Sequence, residues 1–271
     1  MNGVASFESR PEGLVPLASH PSLAAAQAAL PEGVYTTFRT YGGNGVVRLG
    51  QHLRRLEDSA ALKGTPGSLD AAAVRWALAE ALRRTRHDES RVRLSFAPPR
   101  LFVAVEPFTP LGPALYEQGV ACVTLDLQRD NPHAKDTRFV ATARAAYARL
   151  PPGVEEGLLL AQDGTLLEGL SSNFFAVADG VLRTEQARVL EGVTRALAIE
   201  AAAQVLPIVR EGVTRRALPR VEEAFLTSVS REVLPVVRID AQPIGGGSVG
   251  PATRAIMQSF AALVTREREP L

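Results

Sequence analysis

The stretch GLLLAQDGTLLEGLSSNFFAVADGVLRT, residues 157–184, carries the strongest fold signal in the chain. Two apolar runs of strand length flank Asp163-Gly164, and two more flank Asp179-Gly180. An Asp-Gly pair between apolar runs is a strong signal for a tight hairpin turn, because both residues tolerate the positive φ that such a turn requires. The stretch therefore predicts two consecutive β-hairpins.

Helical and strand patterns alternate on both sides of these hairpins. Leucines and alanines recur at helical spacing in two upstream segments, whereas Thr and aromatic residues alternate with a period of two before them. The predicted elements are a strand at 33–41, helices at 49–64 and 68–84, strands on either side of Pro98-Pro99, a helix at 138–150, a helix at 194–206, strands at 222–229 and 233–239, and a final helix within 244–267. The pattern predicts a mixed α and β fold (α/β, α+β mixed).

A proline-rich segment, EPFTPLGPA at 106–114, lacks a hydrophobic period and is typical of a linker between domains. We therefore expect a smaller N-terminal α/β domain at 1–108, a linker at 109–116, and a larger C-terminal domain at 117–271.

The composition excludes several classes of protein. A net charge of +1 with no basic block argues against nucleic-acid binding. No apolar run approaches the roughly 18–20 residues of a membrane span, and the N-terminus lacks a signal pattern. The single cysteine, Cys122, cannot form a disulfide within the chain, which favours a cytoplasmic location. The four histidines are scattered without metal-ligand spacing, so we expect no metal site.

Lysine is rare in this chain, since Lys63 and Lys135 are the only two lysines among 30 basic residues. Lys135 lies in NPHAKDTRFV, residues 131–140, just before a predicted helix. An arginine guanidinium stays protonated in proteins, whereas an amine can lose its proton and form a Schiff base. Lys135 is therefore either a surface lysine or a reactive amine.

Two further features have both an ordinary and a chemical interpretation. Glu168 ends an apolar run and either faces water or pairs with a protonated ring nitrogen. Gly192 precedes an alanine-rich helix, so the amides of Val193 and Thr194 are donors that an anion could use, although Thr194 could equally be a plain cap. Arg54 and Arg55 occupy adjacent helix faces, so at most one of them points inward.

The order of these features favours the chemical interpretation. An amine, a carboxylate and an anion-binding helix start follow one another at Lys135, Glu168 and 192–195, and a Ser/Thr-rich strand end follows at 227–230. Pyridoxal 5'-phosphate requires this combination: a lysine for its aldehyde, an acid for its ring nitrogen and donors for its phosphate.

Beyond these local features, the sequence resembles the class IV (fold type IV) pyridoxal-phosphate-dependent aminotransferases, a family that includes branched-chain and D-amino-acid aminotransferases and 4-amino-4-deoxychorismate lyases. The resemblance runs from about residue 33 to about residue 260. It is carried by the motifs GVYTTFRTYGG, HLRRLEDSA, EGLSSNFFAVADGVLRT, LEGVTR and EEAFLTSVSREVLPVVRIDAQPIGGGSVGPATR. It implies a two-domain fold with the cofactor between the domains, usually in a homodimer.

The resemblance also implies roles for individual cofactor-binding residues. Lys135 would be the catalytic Schiff-base lysine, and Glu168 would pair with the pyridine nitrogen. Arg55, rather than Arg54, would bind the phosphate. The other implied phosphate-binding positions are Val193, Thr194, and Ser228 or Val229.

On the substrate side, the resemblance implies that Tyr35 faces the substrate, that Arg93 lies near its carboxylate, and that Phe139 packs close to the cofactor. The chain also departs from the family. Thr36 follows the aromatic residue where many members have Glu, and SVSRE stands where many have a Gly-Thr or Thr-Thr pair.

The expected function is transfer of an amino group from an amino acid, of branched-chain or D-amino-acid type, to a 2-oxo acid through a Lys135 Schiff base. The alternative is a 4-amino-4-deoxychorismate lyase, which releases 4-aminobenzoate and pyruvate by elimination. A third possibility is a non-enzymatic paralogue. The amino donor, its stereochemistry and the pathway stay open at this point.

Overall fold

The computed structural model describes residues 3–271. Strands in this range are β1 (Ala5–Arg10), β2 (Gly13–Pro16), β3 (Val34–Arg39), β4 (Gly45–Val47), β5 (Ser90–Ala97), β6 (Arg100–Pro107), β7 (Val120–Leu125), β8 (Val154–Leu160), β9 (Leu166–Gly169), β10 (Asn173–Ala178), β11 (Val181–Arg183), β12 (Ile208–Val209), β13 (Val221–Ser228), β14 (Glu232–Ile239), β15 (Gln242–Pro243) and β16 (Arg268–Pro270). The helices are α1 (Leu23–Ala28), α2 (Leu49–Leu62), α3 (Ala71–Thr85), α4 (Pro113–Gln118), α5 (Arg138–Tyr147), α6 (Val193–Ala202) and α7 (Pro251–Glu267), with a 3₁₀ helix at Arg215–Arg220. The mixed α and β prediction is confirmed.

The chain forms two compact units. The first comprises residues up to Thr109 together with His133–Ala141 and Glu267–Leu271, and the second comprises Pro110–Pro132 and Thr142–Arg266. The segment that carries Lys135 thus belongs to the first unit, although it follows the predicted linker in the sequence. The domain boundaries predicted above stay predictions.

The first unit is built on a five-stranded antiparallel sheet in the order β2-β1-β6-β5-β3. Helix α2 buries Leu49, Leu53, Leu56 and Ala60, the positions whose spacing predicted it. Helix α3 begins where the Asp70 carboxylate accepts hydrogen bonds from the amides of Ala72 and Ala73. These elements fix β3 and α2, which carry several of the predicted site residues.

The second unit contains a nine-stranded sheet that closes on itself. Strands β10, β13, β14, β7, β8 and β9 pair in succession, and β9 pairs again with β10. The closing pair is Glu168 with Asn173. Apolar residues from these strands, including Leu158, Phe174 and Leu226, form the core inside this arrangement. The predicted site residue Glu168 therefore lies where the ring of strands closes.

Both predicted hairpins are present. Strand β8 pairs antiparallel with β9 and β10 with β11, and Asp179 and Gly180 both have positive φ, at 54° and 69°. The helix predicted at 194–206 is shorter, because α6 ends at Ala202. Strands β1 and β2 lie in a segment that shows no clear sequence pattern. No helix within residues 3–271 combines the length and the apolar character needed to cross a membrane.

Candidate active site

Lys135 is fixed through its backbone just before α5. Its amide donates to Ser59 Oγ at 3.2 Å, and its carbonyl oxygen accepts from the amide of Tyr35 at 3.0 Å. The side chain is half-buried, with Nζ 4.8 Å from the centroid of the Tyr35 ring. The amine therefore has a defined position against an aromatic face rather than a free place in solvent.

Tyr35 also contacts Arg93, whose guanidinium carbon lies 4.6 Å from the ring centroid. Arg93 donates through Nε to Thr37 Oγ1 at 3.3 Å and through Nη1 to the Leu23 carbonyl at 3.2 Å. Burial lowers the pKa of Arg93 from its usual value. The structure thus brings three predicted residues together: the amine, the substrate-facing aromatic and the carboxylate-binding arginine.

Arg55 points inward and Arg54 is exposed. This agrees with the expectation that at most one of the two points inward. Arg55 Nη2 donates to Thr36 Oγ1 at 2.6 Å, whereas the buried Nε has no hydrogen-bond partner within residues 3–271. Burial lowers the pKa of Arg55 to about 10, so the group is still a cation at neutral pH. A desolvated cation with an unused donor is suited to an anionic ligand.

Phe139 lies in the first turn of α5, where it is half-buried. Its predicted contact with the cofactor stays a prediction.

In the second unit, Glu168 is 2% exposed and held on several sides. Its Oε2 accepts from Asn173 Nδ2 and from the Leu190 amide, both at 3.2 Å, and Arg129 Nε lies 2.8 Å from Oε1. An adjacent guanidinium and amide donors stabilise the ionised form of a carboxyl group. The structure therefore excludes the interpretation of Glu168 as a strand-end charge facing water.

Helix α6 begins at Val193 after the N-cap Gly192, and no side chain among residues 3–271 caps this end. Val193 is buried and Thr194 half-buried in its first turn. The free amides and the helix dipole favour an anion here. Asn173 Oδ1 lies against the position that a Cβ on Gly192 would occupy, so the glycine allows close approach to the residue that also contacts Glu168.

Ser228 is the last residue of β13, and Val229 begins the turn that leads into β14. Arg231 in the same turn donates to Glu156 Oε2 at 3.0 Å and to Ser171 Oγ at 3.1 Å. The turn is therefore tied to the segment that follows Glu168.

Comparisons with known proteins decide the family. A family model described as "Amino-transferase class IV" matches residues 33–239. The chain belongs to the class IV aminotransferases. A branched-chain-amino-acid aminotransferase of Escherichia coli K12 is 28% identical over 256 residues, which are 86% of this chain and 83% of that protein.

Two further comparisons support this membership. A branched-chain-amino-acid aminotransferase of Pseudomonas aeruginosa is 25% identical over 262 residues, 88% of this chain and 85% of that protein. The crystal structure of the T.th. branched-chain amino acid aminotransferase with pyridoxamine 5'-phosphate superimposes with a TM-score of 0.81, at 25% identity, over 97% of this chain and 95% of that one.

Membership of the class IV aminotransferases confirms the predicted family, the fold type IV architecture and a pyridoxal-phosphate-dependent enzyme. The residues of this chain also fit that cofactor. In the first unit, the buried Nε of Arg55, which has no hydrogen-bond partner within residues 3–271, suits a phosphate. In the second unit, the start of α6 suits an anion, and the buried carboxylate of Glu168 suits a protonated pyridine nitrogen. The role of each individual residue stays a prediction.

In each unit, a predicted site residue contacts a side chain that the sequence did not single out. Arg129 contacts Glu168, and His52 contacts Thr36. Each lies far in sequence from its contact. Arg129 carries no local motif, and the HLRRLEDSA motif, which begins at His52, does not indicate that His52 contacts Thr36. Only the fold shows these neighbours.

Proposed function

We propose that this enzyme is an aminotransferase that moves an amino group from a branched-chain amino acid to a 2-oxo acid. The observation that carries the proposal is the position of Lys135 Nζ and the Arg93 guanidinium, 4.8 and 4.6 Å from the same Tyr35 ring. The chemistry of an α-amino acid needs an amine that can act as a base and a cation that can bind a carboxylate, and both groups contact this one ring.

Each residue has a proposed task. Lys135 would hold the cofactor through its amine, and its Nζ would accept the proton from the substrate Cα. Arg93 orients the substrate carboxylate, and Tyr35 and Phe139 present apolar surface to the rest of the substrate. Fixed geometry of this kind lowers the barrier, because the base already lies near the proton that it must take.

A second group of residues would hold the cofactor. Glu168 would accept a charge-assisted hydrogen bond from the protonated ring nitrogen, and Arg129 and Asn173 would keep its carboxylate in place. Arg55 is proposed to bind the phosphate, as are four positions of the second unit: Val193, Thr194, Ser228 and Val229. When bound, pyridoxal phosphate supplies an aldehyde for amines and a ring that withdraws electrons from the substrate carbon.

The branched-chain preference is supported by the names of the relatives, each of which covers more than four fifths of this chain. An apolar side chain also agrees with the aromatic character of Tyr35 and Phe139. The cytoplasmic location inferred from the single cysteine stays a prediction.

A donor panel tests the proposal. The purified enzyme with pyridoxal phosphate would receive the L- and D-forms of leucine, isoleucine, valine, alanine and glutamate, each with a 2-oxo acid acceptor. We expect the highest kcat/KM for branched-chain donors of a single enantiomeric series, either L or D. Release of pyruvate from 4-amino-4-deoxychorismate without transamination of any amino acid would instead identify the lyase.

We further propose that the enzyme is a homodimer, which the family resemblance implies. Light scattering coupled to size-exclusion chromatography should then give twice the 28.9 kDa chain mass. A mass of one chain at micromolar concentration would contradict this proposal.

A further inference from the structure

Three polar side chains form a hydrogen-bonded series within the first unit. Arg55 Nη2 lies 2.6 Å from Thr36 Oγ1, and Thr36 Oγ1 lies 2.7 Å from His52 Nδ1. Thr36 is fully buried and His52 is 3% exposed. Phe38 packs against the imidazole, with the ring centroids 5.3 Å apart. Water is therefore not a ready substitute for either partner of the Thr36–His52 hydrogen bond.

The direction of each hydrogen bond follows from the donors available. A guanidinium has only N–H donors, so Thr36 Oγ1 accepts from Arg55. The hydroxyl has one proton of its own, which needs an acceptor because the group is buried. His52 Nδ1 is that acceptor, and it can accept only when it carries no proton, which places the proton of the neutral ring on Nε2.

The surroundings of His52 agree with a neutral ring. Burial first, and then the positive charges of Arg55 and Lys135, lower the pKa of His52 well below its usual value. The ring thus stays an acceptor through the physiological pH range, and the direction of the series does not change with pH there.

We propose that Thr36 and His52 are positioning residues that hold the Arg55 guanidinium in the orientation needed for a phosphate ester. This inference rests on the proposed function, because it assumes that Arg55 binds the phosphate of pyridoxal phosphate. His52 orients the Thr36 hydroxyl so that a lone pair faces Arg55. Thr36 then engages one edge of the guanidinium and leaves Nε, which has no partner within residues 3–271, for the ligand.

A matched pair of substitutions tests the proposal. Thr36→Val keeps the size of the side chain and removes the hydroxyl, whereas Thr36→Ser keeps the hydroxyl. Dissociation constants of the cofactor-free proteins would be measured for pyridoxal phosphate and for pyridoxal, which lacks the phosphate. We expect Thr36→Val to weaken the binding of pyridoxal phosphate about 10-fold and the binding of pyridoxal about 2-fold or less. Thr36→Ser should bind pyridoxal phosphate to within about 3-fold of the unsubstituted protein.

If Thr36 had a merely structural role, Thr36→Val would weaken the binding of both ligands equally, and that result would overturn the proposal. So would phosphate-ester binding by Thr36→Val that equals binding by the unsubstituted protein. An independent readout is ¹⁵N NMR of the imidazole in the ligand-free protein. We expect His52 in the Nε2–H form from about pH 6 to pH 8; a proton on Nδ1 would reverse the series and refute the assignment.

These outcomes are separable from failure of the proposed function. An unsubstituted protein that binds no pyridoxal phosphate at all would contradict the cofactor assignment. The NMR measurement on the imidazole would still decide the direction of the hydrogen bonds, because it needs no ligand.

Discussion

At the scale of single residues, the two lysines of this chain act on the same short segment. Lys63 Nζ donates to Asp136 Oδ1 at 2.9 Å, next to Lys135. Arg138 also pairs with Asp136, so two cations anchor the residue that follows the predicted catalytic lysine. One of the two lysines is thus the predicted Schiff-base residue, and the other helps to hold the backbone beside it.

Substitution of Lys135 is the first prediction. Lys135→Ala and Lys135→Arg should both lose turnover by at least about 10³-fold, because neither side chain can bond covalently to an aldehyde or take a proton at neutral pH. Reduction with borohydride in the presence of pyridoxal phosphate, followed by peptide mass spectrometry, should label the peptide that contains Lys135 and not that of either variant.

Lys63→Ala is the matched control, because it removes the only other lysine. It should keep the label on Lys135, with turnover reduced only through the lost contact to Asp136. A label that is lost in Lys63→Ala but kept in Lys135→Ala would show that Lys63, and not Lys135, forms the Schiff base.

At the scale of elements, the predicted site residues of the second unit lie near the ends of strands and at the start of a helix. Glu168 is the last residue but one of β9, Gly192 precedes α6, and Ser228 ends β13. Asn173 at the start of β10 joins the first two, because it donates both to Glu168 and to the Leu190 carbonyl at 2.8 Å. Loop ends supported by a closed sheet are rigid positions for ligand-binding groups.

The close approach at Gly192 gives the second prediction. Its φ is −68°, which any residue can adopt, so the obstacle to a side chain is space and not backbone strain. Gly192→Ala must displace Asn173, and we expect pyridoxal phosphate affinity to fall about 10-fold and stability by about 1–3 kcal/mol. Calorimetric titration and thermal unfolding would measure both.

Gly112→Ala is a close control, because Gly112 is also an extended N-cap, with φ of −62° and open space around its Cβ position. We expect no more than about 0.5 kcal/mol of change there. Equal effects of the two substitutions would mean that the Gly192–Asn173 contact is unimportant.

The turn between β13 and β14 supplies the third prediction. Glu156 is fully buried and pairs with Arg231, and Ser172 Oγ also donates to Glu156 Oε2 at 2.9 Å. Burial disfavours the Arg231 cation, but the charge of Glu156 raises the pKa of Arg231 above its usual value. Arg231→Met should cost about 3–5 kcal/mol, because it leaves a buried carboxylate without its cation.

Adding Glu156→Gln to Arg231→Met should recover part of that loss in chemical denaturation, since the uncompensated charge is gone. The exposed pair of Arg75 with Glu269 is the comparison, and Arg75→Met should cost less than about 1 kcal/mol. Equal costs for Arg75→Met and Arg231→Met would show that burial does not govern these ion pairs.

At the scale of the whole molecule, local patterns predicted more of the fold than of the site. The Asp-Gly turns and the leucine spacing of α2 are short-range signals, so the hairpins and the helix followed from them. Strand β4 pairs instead with β16 at the far end of the chain, a long-range choice that no local pattern around Gly45 encodes. The same limit explains Arg129 and His52: their importance depends on which distant residue the fold brings beside them.

The last prediction concerns how the stability of the folded protein depends on pH. We expect His52 to control this dependence above the pH range in which the carboxylates titrate. Its folded pKa is far below the unfolded value of about 6.5, so below that pH the unfolded chain binds a proton that the native protein rejects. Stability should decrease as the pH falls, by up to about 1.4 kcal/mol per unit. The lowered pKa values of Glu80 and Asp163, both about 2, act only below about pH 4.5. We therefore expect Tm to drop between pH 7.5 and 5.5. His52→Gln should flatten that drop, and His87→Gln, at a half-buried site, should flatten it less.

If Tm of His52→Gln fell with pH as steeply as Tm of the unsubstituted protein, the His52 imidazole would be protonated in the folded protein as readily as in the unfolded chain.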